Sequence, residues 1–370
     1  MKKLLIVGAA ALLLGIAMIA TAHAQTVTTP RPVSPAAEVT QTIGLTQITV
    51  NYSRPKVTDA RGQDRTGKIW GGLVPYGFTN LGFGNGKDNP WRAGANENTT
   101  ISFSDDVKVE GKDLKAGTYG LHIAVLENDK ATVIFSNNTT SWGSYFYEES
   151  EDVLRVDIAT VENMPTEVLT YSFIDYTSNS TILALDWEKK RFPIKIDVDV
   201  HAIVLANFRN ELRSTAGFGW QGPLDAARYC LNNNINNEEA LAWVNQSIAN
   251  NSNFQNVFTK AGLLNQKGDE ENYIKLMEES AEQANVGQLN FLGYQLIGQG
   301  DFKKAIEFFQ LNVKRNPNNA NVHDSLGEAY RANGDNKLAI KSFQKALSLN
   351  PAQNVKVNSE KNLKELGVKI

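Results

Sequence analysis

Cysteine is all but missing from this chain. Among 370 residues only Cys230 is present, so no disulfide can form within the chain and each domain must be held by its own core. Cys230 itself reads as a small buried hydrophobe. Histidine is scarce too, with four residues. None stands in the H-x-H, H-E-x-x-H or Cys/His spacings that hold zinc, so neither a metal nor a cofactor is expected. There is no concentration of lysine and arginine: 37 basic residues face 40 acidic ones, a net charge of −3. Nucleic acid is therefore not an expected partner, because phosphate binding needs a concentrated basic face. A Ser or Cys hydrolase lacks its G-x-S-x-G elbow or a Cys–His pairing, and no Walker spacing cradles a phosphate. The one long apolar run, Leu4 to Ile19, stops short of the roughly 18–20 residues that cross a bilayer. Lys2 and Lys3 precede it and Ala22-His23-Ala24 follows it. Residues 1–24 thus read as a signal peptide cleaved before Gln25. An exported chain is expected, periplasmic or secreted, with no transmembrane segment after cleavage.

Residues 25–42 carry Pro30, Pro32 and Pro35 among threonines and valines, and read as an extended tether. A β domain is expected over 43–200. Ile48, Val50 and Tyr52 alternate with polar residues, the mark of a strand buried on one face. The same period of two recurs at Ile101 and Phe103, at Val107 and Val109, and at Tyr119, Leu121, Ile123 and Val125. It returns at Val133 and Phe135, at Leu154, Val156 and Ile158, at Leu169, Tyr171 and Phe173, at Leu183, Leu185 and Trp187, and finally from Ile194 to Val200. Gly111 and Asn128-Asp129 mark turns. Between Arg61 and Pro90 stand eight glycines, and this segment reads as loops. His122 falls on the face opposite the apolar set and is expected in solvent. Eight or nine short strands without helical periodicity imply an all-β antiparallel sandwich or barrel, the sandwich preferred.

From His201 the apolar period becomes 3.6, and 201–370 reads as an all-α helical solenoid. Two segments, 286–319 and 320–353, match at a period of 34. Leu289, Leu292, Gly293, Leu296, Ala305, Phe309 and Pro317 in the first stand at the offsets of His323, Leu326, Gly327, Tyr330, Ala339, Phe343 and Pro351 in the second. Asn312 takes the place of Ala346. This spacing resembles the tetratricopeptide repeat. Degenerate pairs upstream and a polar helix from Val355 to Leu366 would cap the stack.

The segment from Trp91 to Ser104 (Trp-Arg-Ala-Gly-Ala-Asn-Glu-Asn-Thr-Thr-Ile-Ser-Phe-Ser) resembles the signature of the domain-of-unknown-function 2911 family. Tyr52-Ser53-Arg54-Pro55, Leu73-Val74-Pro75-Tyr76-Gly77, Ala116-Gly117-Thr118-Tyr119, Trp142-Gly143-Ser144-Tyr145, Asp152 to Val156 and Asp186-Trp187-Glu188 agree with it. The resemblance spans about residues 33–200. It implies export and a fold, but no activity.

The signature supplies the ligand-binding candidates: Arg54, Trp91, Arg92, Asn96, Glu97 and Asn98. A cation, a carboxylate, amides and an aromatic ring suit a polar ligand such as a glycan or a peptide end. The bland reading is an Arg92–Glu97 ion pair pinning a loop, with Asn96 on turn backbone. Trp142, Tyr145 and Tyr147 form a second aromatic group, with Tyr145 and Tyr147 on one face of a strand. In the repeats, the resemblance places Asn290, Tyr294, Ile297, Asp324, Glu328 and Arg331 on the groove that meets a protein or peptide partner. Two functions follow. One is an exported binding or assembly protein. The other is a hydrolase of an extracellular polymer, pairing Glu97 with Glu148, Glu149 or Asp152 across the 5–10 Å that glycoside hydrolysis needs.

Overall fold

The computed structural model describes residues 33–369. The signal-peptide reading of residues 1–24 and the start of the tether, residues 25–32, lie outside them. The chain divides into two compact units, the first ending at Val200 and the second beginning at His201.

The first unit is two antiparallel sheets. Six strands, β1 (Ala36–Ile43), β2 (Thr46–Ser53), β3 (Thr100–Phe103), β6 (Gly117–Val125), β7 (Lys130–Ser136) and β8 (Asp152–Ala159), pair in the order β1-β2-β3-β6-β7-β8. Four more, β4 (Val107–Val109), β5 (Lys112–Leu114), β9 (Val161–Ile174) and β10 (Ser180–Asp197), pair as β5-β4-β10-β9. Two separate sheets make this a sandwich rather than a closed barrel. Alternation does the work: Ile48, Val50, Ile101, Leu121, Ile123, Val133, Phe135, Leu169, Leu183, Leu185 and Trp187 are all buried.

Three expectations need correction. Residues 36–42 are not tether. They belong to β1, which pairs with the whole of β2 from Ala36↔Ser53 to Ile43↔Thr46 across a turn at Gly44-Leu45. The prolines end at Pro35, so nothing after it blocks ladder hydrogen bonds. Among the described residues ten strands are present instead of eight or nine. The runs ending at Trp187 and starting at Ile194 are one strand, β10, bent at a bulge where Glu188 takes φ 54°. A bulge shifts the register and hides the continuity of a strand from its alternation. Finally, His122 is buried. It sits on the central strand β6, whose second face is covered by the loop that carries Ser144 and Tyr147. The turn at Asn128-Asp129 is found as read, both residues at positive φ, with the Leu126 amide donating to the Lys130 carbonyl.

Among the described residues the second unit holds ten α-helices: α1 (Val200–Glu211), α2 (Gln221–Asn233), α3 (Asn237–Asn250), α4 (Phe254–Gln266), α5 (Glu270–Gln283), α6 (Val286–Gln299), α7 (Phe302–Arg315), α8 (Ala320–Ala332), α9 (Asn336–Ser348) and α10 (Gln353–Glu365). α6/α7 and α8/α9 are the two clear repeats, and α10 is the polar closing helix. A Cβ on Gly293 would lie 2.3 Å from the Phe309 ring, and one on Gly327 2.7 Å from Phe343. Glycine is therefore what lets the second helix of each repeat seat its phenylalanine against the first. Asn312, the departure from the repeat pattern, is fully buried and donates to the Val286 carbonyl at 2.8 Å, tying α7 to the start of α6. His323 is buried as well and bonds the Pro317 carbonyl through Nε2.

Candidate functional site

In the β unit, most of the signature serves the backbone. Ala93 and Asn96 both adopt positive φ, 50° and 61°, so residues 93–96 form a tight loop. The Ala93 carbonyl accepts from the Tyr171 hydroxyl at 2.9 Å and from Thr99 Oγ1 at 3.3 Å. Trp91 Nε1 donates to the Gly94 carbonyl, Asn96 Nδ2 to the Ser34 carbonyl, and Asn98 Nδ2 to the Asn138 carbonyl at 2.8 Å. Trp91 also exchanges both backbone hydrogen bonds with Ile123, which fixes its ring 6.0 Å from Trp187 in a stacked pair. Trp70 and Phe192 close this aromatic cluster. The signature is legible in sequence because it pins one loop in four places.

Arg92 does more than bond backbone. Its Nη1 donates to the Asn96 carbonyl at 2.6 Å, and its guanidinium lies 4.5 Å over the Tyr145 ring. A Cβ on Gly143 would collide with that guanidinium at 2.2 Å, and Gly143 sits at φ 61°, so only glycine lets the loop of residues 142–145 lie flat against Arg92. Two signature segments far apart in sequence thereby meet at one place.

They meet at the wall of a cleft of about 1030 Å³. Trp91, Arg92, Asn96, Trp142, Ser144 and Tyr145 line it, together with Lys56, Asp59, Arg61 and Arg65 from the loop after β2. Trp142 stands about half exposed at 52%. Of the six ligand-binding candidates, the cleft takes Trp91, Arg92 and Asn96. Arg54 is not among its lining residues. It turns to β9, donating to the Leu169 carbonyl and to Thr170 Oγ1 at 2.8 Å. Asn98 and Glu97 are not among them either: Asn98 donates to the Asn138 carbonyl, and Glu97 accepts from Ser53 Oγ at 3.4 Å.

The acids proposed as partners for Glu97 are engaged with other side chains. Glu148 is held by Lys87 and Asn85, Glu149 by Arg155, and Asp152 by Arg155 and the Tyr147 hydroxyl, both at 2.6 Å. None of them lines the cleft, whose one carboxylate among the described lining residues is Asp59. Tyr145 and Tyr147 do not share a strand face. Residues 141–146 are bends and turns, which send Tyr145 to the cleft and Tyr147 inward to Asp152.

Sequence reasoning missed His122 and Ser144. His122 Nδ1 lies 2.8 Å from Ser144 Oγ, with the Tyr147 ring edge-on at 5.5 Å. Burial, reinforced by the Arg92 charge, pushes the imidazole down to about 4. It is neutral at ordinary pH and holds the Ser144 loop from below. The sequence carried no signal for this: an antiparallel strand commonly keeps one face in solvent, and it is the remote loop of Ser144 and Tyr147 that covers this one. The bidentate pair of Arg191 with Asp186, 2.7 Å for each bond, was missed also. Among the described residues no group of three or more His, Cys, Asp or Glu side chains could hold a metal ion, and no helix is long and apolar enough to cross a membrane.

In the repeat unit the first helices of successive repeats are joined by a polar ladder. The Tyr294 hydroxyl on α6 donates to Glu328 of α8 at 2.6 Å. Glu328 accepts in turn from Asn358 of α10 at 2.7 Å, which also donates to Asp324 at 2.8 Å. Arg331 pairs with Glu365 at 2.7 Å and bonds Asn362. The partner-groove residues are thus only partly presented. Asp324 is buried, its carboxyl raised by burial and bonded by Ser359, and Ile297 packs against the core. Tyr294 keeps 39% of its surface exposed, and Phe291, not foreseen, keeps 44%. Phe291 packs edge-on against Phe258 of α4 at 5.5 Å. Asn290 Oδ1 is buried with no hydrogen-bond partner among the described residues.

Residues 34–196 match the family model described as Protein of unknown function (DUF2911), and residues 320–353 match the Tetratricopeptide repeat model. No curated protein matches the chain. Among solved structures it is similar to MamA, at 15% identity, covering 40% of this chain and 86% of that one with a TM-score of 0.30. It is similar also to YrrB, described as a TPR protein with an unusual peptide-binding site, at 16% identity, 43% and 82% coverage and a TM-score of 0.29. MamA from Desulfovibrio magneticus RS-1 gives 16% identity, 40% and 92% coverage and a TM-score of 0.27. The repeat match supports a protein-interaction or assembly role, with a protein or peptide as partner. The chain thus joins a DUF2911 domain, a two-sheet β structure, to a helical region of tetratricopeptide type.

Proposed function

We propose that this protein is an exported assembly factor whose helical repeats dock an extended segment of a protein partner, while its β domain holds a small polar ligand, a saccharide, in the cleft beside Arg92. Export rests on Lys2, Lys3, the apolar run to Ile19 and Ala22-His23-Ala24. The observation that carries the docking reading is the Phe291 and Tyr294 pair. Two aromatic side chains on the first helix of a repeat remain about two-fifths exposed, and large aromatic anchors concentrate binding energy. For the cleft, Trp142 and Tyr145 offer ring faces, with polar groups from Arg92 and Ser144 beside them. Concave sites of this size that combine aromatic walls with a few polar groups suit small ligands.

Cross-linking in the native envelope tests the docking. Phe291→Ala with Tyr294→Ala should lose the partner seen with the unaltered protein while keeping its helical circular dichroism. An unchanged set of cross-linked partners would overturn this surface as the dock.

A further inference from the structure

The charge of the cleft narrows its ligand class. Four cationic side chains line it, Lys56, Arg61, Arg65 and Arg92, against the single carboxylate of Asp59. The chain as a whole is acidic, at −3, so this concentration runs against the protein's own balance. Two of the five charges are engaged in holding the loop. Arg65 donates to the carbonyls of Val57 and Lys56, and Asp59 Oδ1 accepts from the amides of Arg61 and Gln63, contacts that hold its carboxyl below the usual range.

The remaining cations are Lys56, Arg61 and Arg92. Among the described residues the side chains of Lys56 and Arg61 make no hydrogen bond or ion pair. Arg92 spends only Nη1, on the Asn96 carbonyl, which leaves Nε and Nη2 unbonded among the described residues. A guanidinium is a planar fork that matches a carboxylate with two parallel N–H···O bonds. Arg92 is also clamped between Gly143 and the Tyr145 ring, so little rotamer entropy remains to be lost on binding. At about 1030 Å³ the cleft stands at the top of the ~300–1,000 Å³ range of small-molecule sites. It has room for several linked rings and more than one charge.

Building on the saccharide reading above, we infer that the cleft takes an acidic oligosaccharide, one carrying a carboxylate on its sugar rings, with Arg92 and Arg61 reading the carboxylates and Trp142 and Tyr145 reading the ring faces. The field of these three cations also favours encounter with a polyanion, an effect that salt screens.

The test uses the full mature chain with tetrasaccharides of three kinds, titrated calorimetrically: a panel of uronic acids, the same compounds with their carboxylates methyl-esterified, and neutral gluco- and chito-oligomers. At least one acidic tetrasaccharide should bind at least tenfold tighter than its methyl ester, and binding should weaken severalfold as salt is raised. Arg61→Ala should bring acid and ester closer together while leaving the melting temperature unchanged. Arg61 is exposed, so that variant is not expected to disturb folding. Equal affinity for acid and ester, or binding of the neutral oligomers alone, would overturn the acidic assignment and leave the saccharide reading standing. No binding by any of the three kinds would overturn both.

Discussion

Replacing His122 with asparagine tests the core of the β domain through pH. The imidazole is buried on β6, 2.8 Å from Ser144 Oγ, and burial together with the nearby Arg92 charge pushes it down to about 4 from the usual 6.5. The unfolded chain therefore takes up a proton between about pH 6.5 and 4 that the folded chain refuses. Stability contributed by the neutral histidine is complete above about 6.5 and declines as pH falls toward the folded value. At about 1.36 kcal/mol per pH unit, the separation amounts to roughly 3 kcal/mol. His122→Asn removes that titration and loses some packing at every pH. Urea unfolding followed by tryptophan fluorescence, with both proteins measured from about pH 7.5 to 4, separates the two effects. The variant should be the less stable protein at the upper end. The gap should then close by about 2–3 kcal/mol toward the lower end, because only the unaltered protein pays the proton penalty. Other acid-sensitive groups are common to both proteins and cancel in the difference. A gap that stays constant across the range would show that the folded imidazole titrates normally and that the loop over β6 does not seal it.

The remaining predictions concern packing and pairing. Gly293→Ala and Gly327→Ala each place a methyl group inside 3 Å of a buried phenylalanine ring, and each should lower the stability of the repeat unit by about 1–3 kcal/mol, read from helical circular dichroism on heating. Arg191→Ala strands the nearly buried Asp186 carboxylate of the bidentate pair. It should cost the β unit about 3 kcal/mol in urea unfolding, and Asp186→Asn with Arg191→Ala together should restore part of that loss. Tyr294→Phe removes the hydroxyl that donates to Glu328, with an expected cost near 1 kcal/mol and with the aromatic anchor kept. Partner cross-linking should therefore persist in this variant where the alanine variant loses it.

What the sequence determined by itself is periodic and local. Alternation of Tyr119, Leu121, Ile123 and Val125 with smaller or polar neighbours makes a strand in any setting, because successive side chains point to opposite faces. The period of 34 from Leu289 to Pro351 makes stacked helical pairs, because Gly293 and Gly327 leave space that only Phe309 and Phe343 fill. The change from a period of two to 3.6 at His201 falls where the two units divide. The signature loop was legible too, since Trp91, Asn96 and Asn98 satisfy backbone groups within a short reach. Tertiary structure decided the rest. Whether His122 faces water depends on β6 lying mid-sheet under a loop some twenty residues away. Whether Arg54 or Arg61 joins Arg92 depends on which way the chain turns after β2. Whether Asp324 faces a groove depends on α10 arriving to cover it with Asn358 and Ser359. Each of these is a contact between segments remote in sequence, and no single-chain periodicity records which remote segment arrives.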